Sequence, residues 1–243
     1  MEILGIIPAR ANSKGIPQKN LQKINGISLV ENTIKIAKKS KKISRLILTT
    51  DSEKIAKIGK KLQIDVPFIR PKKLSTSNSS SLDVIIHTLD FLKRTESYEP
   101  DIILFLQVTS PLRQLKSIDS SIIQLQKSNA TSVLGVSQMK QNPSIAFKID
   151  KNKYLQPYQK TFQNFSQRQK FPKFYYPSGS IYTFWKKTLE SYGNIYGPRI
   201  KPLIVSKEES IDIDDIFDLF VCENVIKNWN KYKKKFSNKG VNF

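Results

Sequence analysis

The sequence predicts an α/β fold built on a mostly parallel, doubly wound sheet. Two observations carry that reading. Short β-branched runs alternate with helical patterns of about ten residues through the first half of the chain, and polar turns follow the apolar runs directly. Strands separated by helices of that length pair in parallel through βαβ crossovers. At 243 residues, 39% hydrophobic and 25% charged, the chain suits a single domain, 1–243, with a modest insertion.

Residues 3–7 form a continuous apolar run ending at Pro8, as a strand buried on both faces does. Residues 29–37 carry apolar side chains at helical spacing, and 45–49 (RLILT) return to a strand. Residues 55–62 follow as helix, 65–69 as an extended segment, 82–92 as helix and 101–107 (DIILFLQ) as a further buried strand. Residues 117–126 are helical and 132–136 extended. The alternation then stops. Residues 137–176 are rich in Gln, Lys, Pro, Phe and Tyr without helical period, which marks an inserted arm of irregular strands. Its aromatics (Tyr154, Tyr158, Phe162, Phe165, Phe171, Phe174 and Tyr175) need a cover that a second subunit can supply. Residues 179–184 and 200–205 resume as strands, and 216–232 close the fold as a helix before a basic tail.

The single cysteine, Cys222, rules out an internal disulfide and suits a reducing compartment such as the cytoplasm. No apolar run reaches the roughly 20 residues of a membrane span. The opening MEILGIIPAR has an acidic second residue and an early proline, and reads as a buried strand rather than an export signal. A net charge of +21 invites a nucleic-acid reading. The lysines are dispersed, however, as in Lys35, Lys38, Lys39, Lys41 and Lys42, and describe a basic surface that draws in an anionic substrate. One His and one Cys offer no ordinary zinc site. His87, beside Val84, Ile85 and Ile86, reads as a packing residue.

Three motifs carry chemistry. The first strand runs into Pro8-Ala9-Arg10-Ala11-Asn12-Ser13-Lys14-Gly15-Ile16-Pro17-Gln18-Lys19-Asn20. Ligands of α/β sheets collect at such strand ends. The small residues admit an anion close to the backbone, and Arg10, Lys14 and Lys19 bring three cations to it, as a triphosphate requires. The spacing is neither GxxxxGK[ST] nor GxGxxG. In the second motif, Ser210-Ile211-Asp212-Ile213-Asp214-Asp215, strand alternation turns Asp212 and Asp214 to one face. Paired carboxylates repel unless a cation sits between them, and carboxylates with phosphate oxygens describe Mg²⁺. Asp215 and Asp218 read as caps of the following helix, and the plainer alternative for the motif is an acidic strand end without metal. The third motif, residues 106–113 (LQVTSPLR), puts Gln107 and Arg113 beyond the most apolar strand, with Ser110 and Pro111 reading also as a helix N-cap and first helical position.

The segment IPARANSKGIPQKNL resembles the opening motif of the acylneuraminate cytidylyltransferases (CMP-sialic acid synthetases). LQVTSPLR, the Arg168-Gln169 and Pro172 segment, PSGSIY at 177–182 and SIDIDDIFDL at 210–219 resemble later motifs of that family, in the same order. The resemblance implies a nucleotide-diphospho-sugar transferase-like fold, a homodimer, and transfer of CMP from CTP to a nine-carbon acidic sugar. It implies that Arg10, Ser13, Lys14, Lys19 and Asn20 hold the triphosphate and that Arg70 and Ser81 contact the cytidine. It further implies that Gln107, Arg168, Tyr182, Ile195 and Tyr196 meet the sugar, and that Asp212 and Asp214 carry Mg²⁺. Arg10, Lys19 and Asp214 are then the catalytic residues. Ser178 stands where the family often has Asn, and the segment 141–145 lacks the Lys that the family has shortly after the proline. Enzymes for legionaminic or pseudaminic acid share the first motif and are the alternative. A basic nucleic-acid-binding module is the rival from another class.

Overall fold

The computed structural model describes residues 1–13, 15–158 and 172–237. Lys14, Arg168 and the arm aromatics Phe162, Phe165 and Phe171 lie outside the described residues. In chain order the elements are β1 (Ile3–Pro8), β2 (Lys23–Ile24), β3 (Ile27–Ser28), α1 (Leu29–Ala37), β4 (Arg45–Thr49), α2 (Glu53–Lys61), α3 (Ser81–Glu96) and β5 (Ile102–Phe105). There follow α4 (Leu115–Gln126), β6 (Ser132–Gln138), β7 (Phe147–Ile149), β8 (Leu155–Pro157), β9 (Tyr175–Trp185), α5 (Lys186–Tyr192), β10 (Ile200–Ile204) and α6 (Ile216–Ser237). A six-stranded sheet runs in the order β10-β6-β9-β5-β1-β4. The pairs β1–β4, β1–β5 and β10–β6 are parallel, and β9 lies antiparallel between β5 and β6.

Alternation along the central strands divides the core in two. Ile3 and Ile7 of β1, with Ile102 and Leu104 of β5, enter one apolar cluster, which α1, α2, α4 and Cys222 of α6 complete. Leu4, Ile6, Ile103 and Phe105 point to the other face, against Ile85, Leu89 and Leu92 of α3. That two-sided burial is why these strands read as unbroken apolar runs. The result is a sheet with helices on both faces, as the sequence predicts. Among the described residues no helix is long and apolar enough to cross a membrane.

Several elements differ from the sequence reading. Residues 65–69 form no strand and touch the sheet only by isolated bridges, Ile47 to Asp65 and Thr50 to Ile69. Ser110 is not a helix N-cap: α4 begins at Leu115 behind Gln114, and residues 107–113 make a compact turn. The short α5 has no strong apolar period to announce it. The β2–β3 hairpin did have a signal, the Asn25-Gly26 pair, whose φ angles of 51° and 78° fit a two-residue hairpin turn. Within the arm, β7 and β8 pair as an antiparallel hairpin with fully exposed faces.

Serine starts the helices that matter for the site. Ser80 accepts from the Asp83 amide at 3.0 Å, while Asp83 accepts from the Ser80 amide, closing a capping box on α3. Loss of that cap costs about 1 kcal/mol. Ser80→Ala is therefore expected to lower Tm by about 2–4 °C in a thermal melt, and an unchanged melt would show the box to be idle.

Candidate active site

A cleft of about 430 Å³ opens over the carboxyl ends of β1 and β5, where the strand order reverses direction on the two sides of β1. That switch point is where open α/β sheets bind ligands. Arg10, Ser13, Lys19 and Asn20 enter it from the loop after β1. Arg70 and Ser81 come from the other side, Gln107 from the end of β5, and Asp212 and Asp214 from the segment before α6.

The loop after β1 is fixed at each end of its path. Ala9 donates its amide to the Thr49 carbonyl and Ala11 donates to Asp51 Oδ1 at 2.7 Å. Asn20, buried, donates Nδ2 to the Arg10 carbonyl. Arg10 crosses to the Thr76 carbonyl at 2.8 Å and so joins the loop to the serine-rich rim of residues 75–81. Lys19 Nζ donates to the Ile213 carbonyl at 2.7 Å and to Asp214 Oδ1 at 3.0 Å. Beside it, the backbone at Gly15 lies so close that a Cβ there would come within 2.0 Å of the Asp214 carbonyl oxygen. The two motifs farthest apart in sequence are thus one contact in space.

Two groups in the cleft have unmet bonding capacity. Arg70 is buried, and its Nε and Nη2 find no partner among the described residues. Burial holds its pKa below the ordinary value, and nearby Arg10 acts in the same direction against Asp51. Unpaired buried donors of this kind are costly unless a ligand accepts from them. Asp212 presents the opposite case. Its Oδ1 is buried and unpartnered among the described residues. Burial first, and then Asp214, push its pKa up, while a hydrogen bond from Thr109 pulls the other way.

Residues 210–215 are not a strand, contrary to the sequence reading. Ile213 is buried and donates its amide to the Thr109 carbonyl, which holds the segment extended outside the sheet. Asp212 is consequently half-buried with one oxygen sealed from solvent, while the Asp214 side chain is 79% exposed. Asp215 accepts from the Phe217 and Asp218 amides, and Asp218 from those of Asp214 and Asp215, so both cap α6 as expected.

Tyr182, Ile195 and Tyr196 do not line this cleft. Tyr182 packs edge-on against Phe105, its hydroxyl pKa pushed up to about 12 by burial and by Tyr196 and Asp212. Ile195 packs with it against the second core cluster. His87 is a packing residue, edge-on to Phe68, with its pKa lowered mainly by burial. Residues that sequence reasoning passed over include Asp51, which pins the loop, and Thr76 at the rim; neither sits in a distinctive local pattern. A larger cavity, about 680 Å³, opens at the amino ends of the strands beside Trp185. There Lys186 is already paired with Glu99 and Glu190, and Arg199 donates to the Asn129 carbonyl, so these charges are engaged.

A switch-point cleft that sets cations beside two carboxylates suits an enzyme of the nucleotidyltransferase class. The comparisons make that specific. Residues 4–215 match the cytidylyltransferase family. A CMP-N,N'-diacetyllegionaminic acid synthase of Legionella pneumophila is 32% identical over 231 residues, 93% of this chain and 97% of the relative. An N-acylneuraminate cytidylyltransferase of Escherichia coli is 28% identical over 233 residues, 96% of this chain and 54% of that longer protein. The solved structure of CMP:2-keto-3-deoxy-manno-octonic acid synthetase complexed with CTP superposes with a TM-score of 0.68 at 12% identity, covering 93% of this chain and 99% of its own, a likeness of fold. The chain belongs to the cytidylyltransferase family.

Gly15→Ala drives a methyl group into the Asp214 carbonyl and must separate the loop from the aspartate segment. Overpacking of this kind costs about 1–3 kcal/mol. The expected result is a lowered Tm together with a turnover loss larger than the melt explains; wild-type turnover in the folded variant would break the link between the loop contact and catalysis.

Proposed function

We propose that the protein transfers CMP from CTP to the anomeric hydroxyl of a nonulosonic, sialic-type acid, giving CMP-sugar and pyrophosphate. The observation that carries this reading is the meeting of Lys19 with Asp214 in the same cleft as the unpartnered donors of Arg70. Relatives named for sialic, legionaminic and pseudaminic acids support the sugar class. N,N'-diacetyllegionaminic acid is the second reading, favoured by the 32% identical relative.

Arg10 and Lys19, with Lys14, Ser13 and Asn20, hold the triphosphate and offset the charge that develops on the departing pyrophosphate. Lys19 is suited to this because its side chain is only 12% exposed and already fixed by the Ile213 carbonyl. Arg70 and Ser81 meet the cytidine. Gln107 and Arg168 receive the sugar. Asp214, exposed at the cleft, is assigned to take the proton of the attacking hydroxyl.

Asp212 and Asp214 would hold Mg²⁺. The fit rests on the buried, partnerless Oδ1 of Asp212 and on an all-oxygen donor set, which a hard cation prefers. No cluster of three metal-ligating side chains is present among the described residues, so phosphate and water would complete the shell, as is usual for this ion. When bound, the ion neutralises phosphate charge. A nucleic-acid binder would make no use of this carboxylate pair, and we exclude that partner. We assign the enzyme to the cytoplasm, where CTP is at hand.

The test is pyrophosphate release from CTP with Mg²⁺, offered sialic, legionaminic and pseudaminic acids, Kdo, or no sugar. Release with a nonulosonic acid alone is expected, and Asp214→Ala should lower turnover about 10²- to 10⁴-fold with the fold intact. Release with none of the acids sinks the substrate reading; wild-type turnover in Asp214→Ala sinks the aspartate's role.

The arm bears on assembly. Ile149, Tyr154, Leu155 and Tyr158 stand well exposed on the β7–β8 hairpin, and Ile216, Phe217 and Phe220 on α6 are equally bare. We assign their cover to a second copy of the chain. Sedimentation at micromolar concentration should show a dimer, and a monomer there would count against it.

A further inference from the structure

We propose that Arg113 is a positioning residue for the sugar acceptor: its buried guanidinium bridges the end of β5 to the turn within β9, and so sets Gln107 and Gly179 against Asp212. The inference rests on the reading that Gln107 receives the sugar. Strands β5 and β9 pair in register up to Phe105 and Tyr182. Two residues further on, that register sets Gln107 opposite Ser180. Here the ladder gives way to a side chain. Arg113 donates Nε to the Ser180 carbonyl at 2.6 Å and Nη2 to the Gln107 carbonyl. The guanidinium fork spans two carbonyls that no single amide could serve.

The turn held in this way is fixed from its other side as well. Ser178 Oγ contacts the Gly135 carbonyl at 3.0 Å and Ser180 Oγ at 2.7 Å, beside the irregularity in β6 between Leu134 and Val136. Between these anchors Gly179 takes a positive φ of 73°. A Cβ at Gly179 would stand 3.0 Å from both Gln107 Oε1 and Asp212 Oδ2. The bridge therefore sets the spacing of a turn that touches two polar groups of the cleft at once.

A purely structural brace would not need this residue. Arg113 is buried, Glu209 and Asp212 act on it only through space, and burial holds its pKa down to about 10. Its Nη1 has no partner among the described residues. A buried cation without a contacting carboxylate is an expensive way to join two strands, since backbone pairing would do it at lower cost. Such cost is retained where it fixes a functional geometry.

The experiment compares Arg113→Lys, which keeps the charge on a single donor nitrogen but not the fork, with Gln107→Ala, each by KM for sugar, KM for CTP and Tm. The proposal expects both variants to raise the sugar KM at least tenfold while the CTP KM stays within twofold and the protein remains folded. Arg113→Lys with a wild-type sugar KM, beside a raised one in Gln107→Ala, overturns the proposal and leaves the substrate reading standing. Equal rises in both KM values, or failure of Arg113→Lys to fold, make the bridge a general brace and also overturn it. A wild-type sugar KM in Gln107→Ala removes the reading of Gln107, and the proposal with it.

Discussion

Lys19 and Gly15 close the loop after β1 onto Ile213 and Asp214, and the cleft exists because of that contact. The lysine gives one bond to a carbonyl and one to a carboxylate, and the glycine lets two stretches of backbone meet with no side chain between them. Without it the cationic loop would be an ordinary basic turn and the aspartates an ordinary acidic helix start. With it, opposite charges from the two ends of the chain share one side of the sheet. Lys19 compensates the exposed aspartate and leaves the half-buried one, Asp212, with an oxygen to spare.

That imbalance runs through the whole cleft. Among the described residues Arg70 keeps two buried donors unpaired and Asp212 one buried acceptor, and Arg113, behind the cleft, keeps one donor more. Each lowers the stability of the empty protein, since a desolvated polar group without a partner is costly. The larger cavity at the opposite end of the sheet differs: its Lys186 is satisfied by its neighbours. Size alone would select the wrong cavity. Unmet hydrogen-bonding capacity selects the one whose ligand is a polyanion with hydrogen-bond acceptors of its own, and family membership agrees with that choice.

The scaffold places these groups economically. Alternation in β1 and β5 commits the apolar side chains from Ile3 to Ile7 and from Ile102 to Phe105 to one core cluster or the other, so polar groups appear past the strand ends. Those ends coincide with the switch point. The serine-capped start of α3, the turn after β5 and the extended run before α6 then bring their side chains to the same rim from three directions.

Much of this was legible in the chain itself. Residues 29–37 and 45–49 match their helix and strand at both ends, because apolar period is set by neighbours a few residues away. The cationic loop, the position of Gln107 and the capping aspartates follow from local chemistry of the same kind. Alternation applied to residues 210–215 set Asp212 and Asp214 to the cleft and Ile211 and Ile213 to the core, as the structure has them, yet the segment belongs to no sheet and is held instead by Thr109. Ser110 looked like a cap for the same reason: capping composition is local, yet the turn around it is shaped by Arg113 reaching across to β9. The antiparallel insertion of β9 and the displacement of Tyr182 and Ile195 from the cleft also depend on contacts between distant parts of the chain. By itself the sequence determined which segments are strands and helices and which residues carry charge to their ends. Only the tertiary structure decided which of those ends meet, because a contact spanning nearly 200 residues leaves no period in the chain.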